Sequence, residues 1–281
     1  MKLVITGCKG LIGSFTFDYA KRQKGVSAFG VDTVGRGNVH DYLSADLTDF
    51  GQTVDALDGA DAVIHLAAIP SQRMFPASKT YVSNTAMTWN VFEACARLKI
   101  KRVVAASSVQ AIYTVTPKHP RQFPYFPIDE KIPVDPQDDY SMCKATGEAL
   151  GEMFAKHHGL TVVTIRPPWV AHPDQLKGLP DVPGDDPVGA SVWAYCDVRD
   201  MARAFFLAAT AKLPEGSHTL AFCVAKDSTA NVPSRELIKR HFPDAKIRAG
   251  LKGFDSLISG ETAKRAFGFV PEFSCRDHAT K

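Results

Sequence analysis

Tyr140 and Lys144, in the segment YSMCK, stand one helical turn apart and put a phenol and an ammonium on one helix face. A phenol with an ordinary pKa of about 10 is a poor base at neutral pH. A neighbouring cation favours the phenolate, and any further positive charge in the site would add to that effect. Each unit by which the pKa falls corresponds to about 1.4 kcal/mol of preferential phenolate stabilisation. Ser108, at the end of the apolar run KRVVAASS, supplies a hydroxyl able to hydrogen-bond a substrate alcohol while Tyr140 takes its proton. The chemistry suited to this set is oxidation of a carbinol, with a cofactor removing hydride from the carbon whose hydroxyl loses the proton. YxxxK also arises by chance as a surface pair, so the reading depends on what surrounds it.

The cofactor side is written at the start of the chain. Lys2 to Thr6 reads as a short strand, Gly7, Gly10 and Gly13 follow, and a helix begins at Leu11. Such a turn brings backbone N–H groups and a helix N-terminus under a pyrophosphate. One glycine permits the turn, another the close approach of phosphate, and the last the packing of helix on strand. Val26 to Asp32 reads as the second strand, with Asp32 nineteen residues after Gly13, close to the about 20-residue offset of a ribose-binding acid. A carboxylate there accepts from both ribose hydroxyls and repels a 2′-phosphate, which favours NAD over NADP; Arg36 nearby pulls the other way.

The elements that must position these groups alternate. Strands are expected at 42–45, 62–67, 101–106, 160–166 and 216–225, and helices at 11–24, 77–98, 140–158 and 198–211, with a further helix after Asp46–Asp49. The near-continuous apolar runs suit a parallel sheet, and the alternation gives an α/β fold with a doubly wound, Rossmann-type sheet. Ligands of such sheets lie at the C-terminal strand ends, where Gly7, Asp32, Asp46, Ala68 and Ser108 all fall. Asp46 is placed to meet the adenine amino group or to cap a helix. Ala67 and Ala68 are small enough for a cofactor to press on the backbone. His65 reads as a satisfied core histidine. The proline-dense stretch 113–138 excludes regular helix or central strand, and 173–187 reads as loop. A short helix near 233–241, a strand near 245–249 and a helix from about Gly260 complete the chain. Residues 1–166 with 195–224 are expected to form the dinucleotide-binding domain, and 167–194 with 225–281 a small substrate-capping region.

Composition excludes other classes. The 281 residues are 45% hydrophobic and 22% charged with net charge +3, too balanced to argue for nucleic acid or a membrane surface. No apolar run is long enough to span a bilayer, and the chain begins directly in a strand without a secretory leader. The six cysteines are scattered without ligand spacing, which suits reduced thiols in the cytoplasm and no metal site. Cys143, inside YSMCK, lacks a paired base and reads as filler. The tandem His157–His158 points to different helix faces and reads as solvated.

With these motifs in place, the chain resembles an extended short-chain dehydrogenase/reductase of the NAD-dependent epimerase/dehydratase family, nearly end to end. TGCKGLIG (6–13) is similar to the family's TGxxGxxG, ADLTD (45–49) to its adenine-side motif and HLAA (65–68) to its strand-four motif. Asn84 matches a helix asparagine, Ser107–Ser108 the strand-five serines, YSMCK the YxxxK, and RPPWV (166–170) the RPxxV. YCDVRDMARA (195–204) and FGFVPEFSCRD (267–277) resemble its C-terminal signatures. The resemblance implies Tyr140 as general base and acid, Lys144 as its partner and a nicotinamide-ribose ligand, and Ser108 as the substrate-polarising hydroxyl. It implies Gly7, Gly10, Leu11, Ile12 and Gly13 at the pyrophosphate, Asp32 at the adenosine ribose, and Asp46, Leu47, Leu66, Ala67, Ala68, Asn84 and Pro167 along the rest of the cofactor.

Short members resembling uronate dehydrogenases are about this size, and Ser71, Gln110 and Trp169 then join Ser108 as substrate contacts. Those enzymes hold a carboxylate with an Arg shortly before a Trp, whereas 186–192 here read DPVGASV before Trp193. The expected activity is therefore NAD-dependent dehydrogenation of a small sugar or sugar acid. A sugar-nucleotide 4-epimerase retaining its NAD, and a non-catalytic dinucleotide-binding protein, are the alternatives. A homodimer through the 77–98 and 140–158 helices is implied by the family.

Overall fold

Strands β1 (Lys2–Thr6), β2 (Ser27–Asp32), β3 (Tyr42–Ser44), β4 (Ala62–His65), β5 (Arg102–Ala106), β7 (Thr161–Arg166) and β10 (His218–Phe222) form one sheet in the order β3-β2-β1-β4-β5-β7-β10. Every pairing in it is parallel. The computed structural model describes residues 1–35, 40–71, 74–112, 119, 121–179 and 192–278. Expectations for Arg36, Pro117, Pro120 and the 180–191 segment lie outside them. The remaining elements are α1 (Leu11–Lys21), α2 (Phe50–Leu57), α3 (Ala77–Arg97), β6 (Tyr125–Phe126), α4 (Asp139–His158), β8 (Trp169–Ala171), α5 (Pro173–Leu176), β9 (Tyr195–Asp197), α6 (Val198–Thr210), α7 (Ser234–His241), β11 (Lys246–Ile247) and α8 (Glu261–Phe267).

Strand side chains alternate between the two faces, and both faces are covered, which is why the runs read as continuously apolar. Leu3, Ile5, Ile64, Val104, Val163 and Ile165 pack with Met201 and Phe205 of α6 on one face. Val4, Val63, Val103 and Val162 pack with Phe92 of α3 and Phe154 of α4 on the other. A third apolar cluster joins Phe123, Phe126, Ile128 and Ile132 to Trp193, Phe222, Leu237 and Leu257. The architecture is the expected doubly wound parallel sheet.

Caps fix where the important helix starts and stops. Asp138 accepts from Ser141 N at 2.6 Å in a reciprocal capping box, and Gly159 closes α4 in the left-handed region at φ 71°. Residues 173–176, expected as loop, form the short helix α5. Pro173 suits a first helical position, and His172 exchanges hydrogen bonds with Asp174 N and the Gln175 side chain. The strand expected near 245–249 contracts to β11, which pairs with β6 inside the proline-dense stretch, away from the main sheet.

Candidate active site

The glycine turn is closed by backbone contacts that leave no room for side chains. Gly7 sits at φ +68°, and a Cβ on it would lie 2.6 Å from Ala67 N. Gly10 N donates to Gly7 O at 3.0 Å, and Gly10 then opens α1 with no side-chain cap. The first bond back into the helix is Ser14 N to Gly10 O at 2.9 Å. The N–H groups of Leu11, Ile12 and Gly13 therefore belong to an uncapped first turn, where an anion is favoured. A Cβ on Gly13 would fall 1.9 Å from Gly7 O, so the helix sits directly on the turn. These residues fit a dinucleotide pyrophosphate.

Asp32 closes β2. Its carboxylate accepts from Lys9 N at 2.9 Å and from Val34 N at 3.3 Å, which holds it at the mouth of the turn. Lys9 Nζ lies 4.7 Å from the centroid of the Tyr42 ring. Asp46 accepts from Thr48 N at 2.9 Å and from Thr48 Oγ1 at 2.8 Å, and those bonds hold its carboxyl below the usual range. Asp49, rather than Asp46, caps α2, accepting from Gln52 N at 2.8 Å. Asp46 is left beside it at the end of β3, next to the buried Leu47.

Beyond β4, Leu66, Ala67 and Ala68 are half-buried along the rim. Thr6 Oγ1 accepts from Leu66 N and Ala67 N, each at 3.2 Å, and lies 2.9 Å from His65 Nδ1. Burial pushes His65 down to about 3, so the ring is neutral in this satisfied core position. Asn84 clasps the following loop, accepting from Ile69 N at 2.7 Å and donating to Ile69 O at 3.0 Å. It also reaches Cys143 Sγ at 3.4 Å, so one side chain on α3 ties the loop to α4. Ser71 is half-buried at the end of that loop.

The phenol, hydroxyl and ammonium converge. Tyr140 stands in the first turn of α4, buried, with the Ser108 hydroxyl near its own. Ser108 Oγ accepts from Gln110 N at 3.1 Å. Lys144 Nζ donates to Ala106 O at 2.8 Å and lies 5.6 Å from the centroid of the Tyr140 ring. The sequence led to an expectation of a depressed phenol pKa. The direction is the reverse: burial raises Tyr140, with the nearby Ser108 hydroxyl opposing it, and burial lowers Lys144. The cation is directed at a carbonyl rather than at the phenol. Cys143 donates to Tyr140 O at 3.0 Å, and burial pushes its thiol up, so it behaves as packing rather than as a nucleophile.

Past Ser108 the chain forms a short hook. Val109 N donates to Pro167 O at 2.9 Å, which draws the Ser108–Gln110 turn against the segment after β7. Gln110 Oε1 is buried without a hydrogen-bond partner among the described residues. Trp169 opens β8 at 36% exposure. A cavity of about 10 Å³, lined by His65, Asn84, Thr88, Ser107, Cys143 and Lys144 among others, lies behind the lysine with room for about one water.

Sequence reading missed Glu148. It is buried, and it joins Ser107 and Arg166 in one network. The available signal was its place four residues after Lys144, one turn along the same helix face. Among the described residues no acidic, histidine and cysteine cluster could hold a metal ion, and no helix is long and apolar enough to cross a membrane.

Comparison with known proteins agrees with this fold. The model of the NAD dependent epimerase/dehydratase family matches residues 3–220. The chain is 29% identical over 181 residues to L-arabinose 1-dehydrogenase (NAD(P)(+)) of Haloferax volcanii, covering 63% of this chain and 70% of that protein. Among solved structures it is similar in fold to a mutated uronate dehydrogenase, at 20% identity and TM-score 0.70, covering 98% of this chain and 83% of that one. It is similar as well to a short-chain dehydrogenase/reductase superfamily protein from Agrobacterium tumefaciens with bound NAD, at 19% identity and TM-score 0.72, covering 99% and 94% of the two chains.

Proposed function

The chain belongs to the NAD-dependent epimerase/dehydratase family, and from that premise we propose that it oxidises a carbinol of a small sugar or sugar acid, with NAD as acceptor and Tyr140 as general base. The observation that carries this is the convergence of the three groups: Lys144 Nζ lies 5.6 Å from the Tyr140 ring centroid and donates to Ala106 O, two residues before Ser108, at the strand ends where the glycine turn opens. NAD, when bound, would supply a hydride acceptor for the substrate carbon. Gly7, Gly10, Leu11, Ile12 and Gly13 would hold its pyrophosphate, and Asp32 its adenosine ribose. Asp46, Leu47, Leu66, Ala67, Ala68, Asn84 and Pro167 would hold the rest. Ser108 polarises the substrate hydroxyl, Tyr140 removes its proton, and Lys144, its Nζ bonded to Ala106 O one turn along α4 from the phenol, would hold the nicotinamide ribose. Ser71, Gln110 and Trp169 contact the sugar; the unpartnered Gln110 Oε1 suits a hydroxyl donor. The segments 167–194 and 225–281 form the substrate-capping region beside the dinucleotide-binding part.

Reduction of NAD across a panel of free aldoses, uronates, hydroxy acids and UDP-sugars tests the reading, with NADH formation from a free sugar or sugar acid as the expected result. Interconversion of a UDP-sugar with tightly held cofactor and no net NADH would replace it with the 4-epimerase reading, epimerisation being one of the activities in the family's description. NAD binding without turnover on any of these would make the chain a dinucleotide-binding protein. Buried free thiols suit a reducing compartment, and we place the protein in the cytoplasm.

Asp32→Ala removes the carboxylate that favours an unphosphorylated ribose. Loss of a charge-assisted hydrogen bond of about 1.5–3 kcal/mol should weaken NAD by at least about tenfold and relax its preference over NADP. The ratio of kcat/KM for the two cofactors reads this directly, and an unchanged ratio would move the discrimination to another residue. We also propose a homodimer through α3 and α4. Val82, Trp89 and Met142 on these helices are 62%, 44% and 46% exposed, an apolar surface suited to a second copy. Light scattering should find a dimer that Val82→Glu converts to monomer; a monomeric parent chain, or a dimeric variant, counts against it.

A further inference from the structure

We infer that Glu148, held between Ser107 and Arg166, is a positioning residue: its carboxylate pins the ends of β5 and β7 to α4, so that Ser108, Tyr140 and Lys144 meet in one register. The inference rests on the reading of those three residues given above. Glu148 Oε1 accepts from Ser107 Oγ at 2.5 Å and from Arg166 Nε at 2.7 Å, and Oε2 accepts from Arg166 Nη2 at 2.7 Å. Ser107, Glu148 and Arg166 are 5%, 7% and 2% exposed. One carboxylate thus takes three hydrogen bonds, from two strand ends, on behalf of a helix.

The neighbours of these residues are the site. Ser107 precedes Ser108, Lys144 stands one turn before Glu148, and Pro167 follows Arg166. Backbone bonds continue the clamp: Ser107 N donates to Ile165 O at 2.7 Å, and Lys144 Nζ reaches Ala106 O at 2.8 Å. A sideways shift of α4 would therefore move the phenol and the ammonium together, away from Ser108.

Stability alone does not account for the pair. Burying an ion pair carries a desolvation cost, and apolar replacements of similar volume are often as stable or more so. What the ion pair adds is direction. The forked guanidinium–carboxylate contact fixes both distance and angle, which an apolar filler does not. The third nitrogen, Arg166 Nη1, has no hydrogen-bond partner among the described residues, and the guanidinium lies 5.4 Å from the Phe222 ring centroid. The polar matching of Arg166 is thus concentrated on Glu148.

The test uses the full chain with NAD and the best substrate of the panel. Glu148→Gln should lower kcat by at least about thirtyfold while KM for NAD stays within about threefold, because displacement of reacting groups by about 1 Å costs rate rather than cofactor binding. Glu148→Asp keeps the charge but withdraws it by one methylene, and should fall between Gln and the parent. Ser107→Ala keeps the ion pair, remains readable should Glu148→Gln fail to fold, and should lose about three- to tenfold in kcat. A kcat within twofold of the parent in a folded Glu148→Gln chain, or in Ser107→Ala if that chain does not fold, overturns the inference, as does a loss confined to KM. Hydrogen exchange needs no substrate. Amides of 102–109 should exchange at least about tenfold faster in Glu148→Gln while those of β1 hold steady, and unchanged exchange at 102–109 also overturns it. A parent chain inert on every substrate would remove the activity reading alone, and the exchange measurement would still decide this one.

Discussion

Tyr140→Phe should bind NAD as the parent chain does and lose about 10²- to 10⁴-fold in turnover, the range a positioned general base contributes. The substitution removes one oxygen and keeps the ring. Tyr140 is buried in the first turn of α4, and Ser108 near its hydroxyl retains the Gln110 N–H as a donor. The fold therefore loses little. Lys144 keeps its bond to Ala106 O, so the groups expected at the nicotinamide ribose stay where they are. NADH fluorescence titration beside initial rates separates the two effects, and full activity in the variant would take Tyr140 out of the mechanism. The pH profile adds a second reading. Burial holds the free phenol above its ordinary value of 10.0, so the parent's oxidation rate should keep rising on the alkaline side of neutrality. The Phe variant should lack that limb.

Gly13→Ala should lower NAD affinity at least about tenfold and Tm by several degrees. The new Cβ would lie 1.9 Å from Gly7 O, 2.7 Å from Gly7 C and 2.9 Å from Cys8 Cα. All three are backbone atoms, so either the turn or α1 must move. Overpacking of this kind costs about 1–3 kcal/mol or more, and for a chain of this size about 1 kcal/mol moves Tm by roughly 2–4 °C. The same shift spoils the uncapped first turn on which the pyrophosphate is expected. Gly10→Ala is the control: its Cβ meets only Gly7 O, at 3.3 Å, and the effect should be much smaller. Calorimetry and NAD titration of the two variants check this, and a Gly13→Ala chain that binds like the parent would mean that the turn tolerates what its geometry forbids.

Much of this was legible because parallel strands covered on both faces write themselves as apolar runs, as in LVIT and AVIH. The glycine turn was legible because positive φ and backbone contact leave few residue choices at Gly7. Glu148 was not, because a carboxylate on a helix reads as solvated until the strand ends bring Arg166 and Ser107 to it. The pKa direction of Tyr140 was lost for a related reason: spacing reveals the cation one turn away but neither the depth of burial nor the Ala106 carbonyl that engages the lysine. Helix α5 was hidden by its own composition, since Pro and Asp signal a loop and a capped helix start alike.

The third apolar cluster has a consequence for the making of the protein. Phe123, Phe126, Ile128 and Ile132 leave the ribosome well before Trp193, Phe222, Leu237 and Leu257, which cover them. At about 5–20 residues per second, a nascent chain carries that greasy ribbon bare for on the order of ten seconds, while β1 to β5 already have one another to pair with. Premature termination anywhere between would release a molecule with that ribbon still uncovered, a natural client for chaperones.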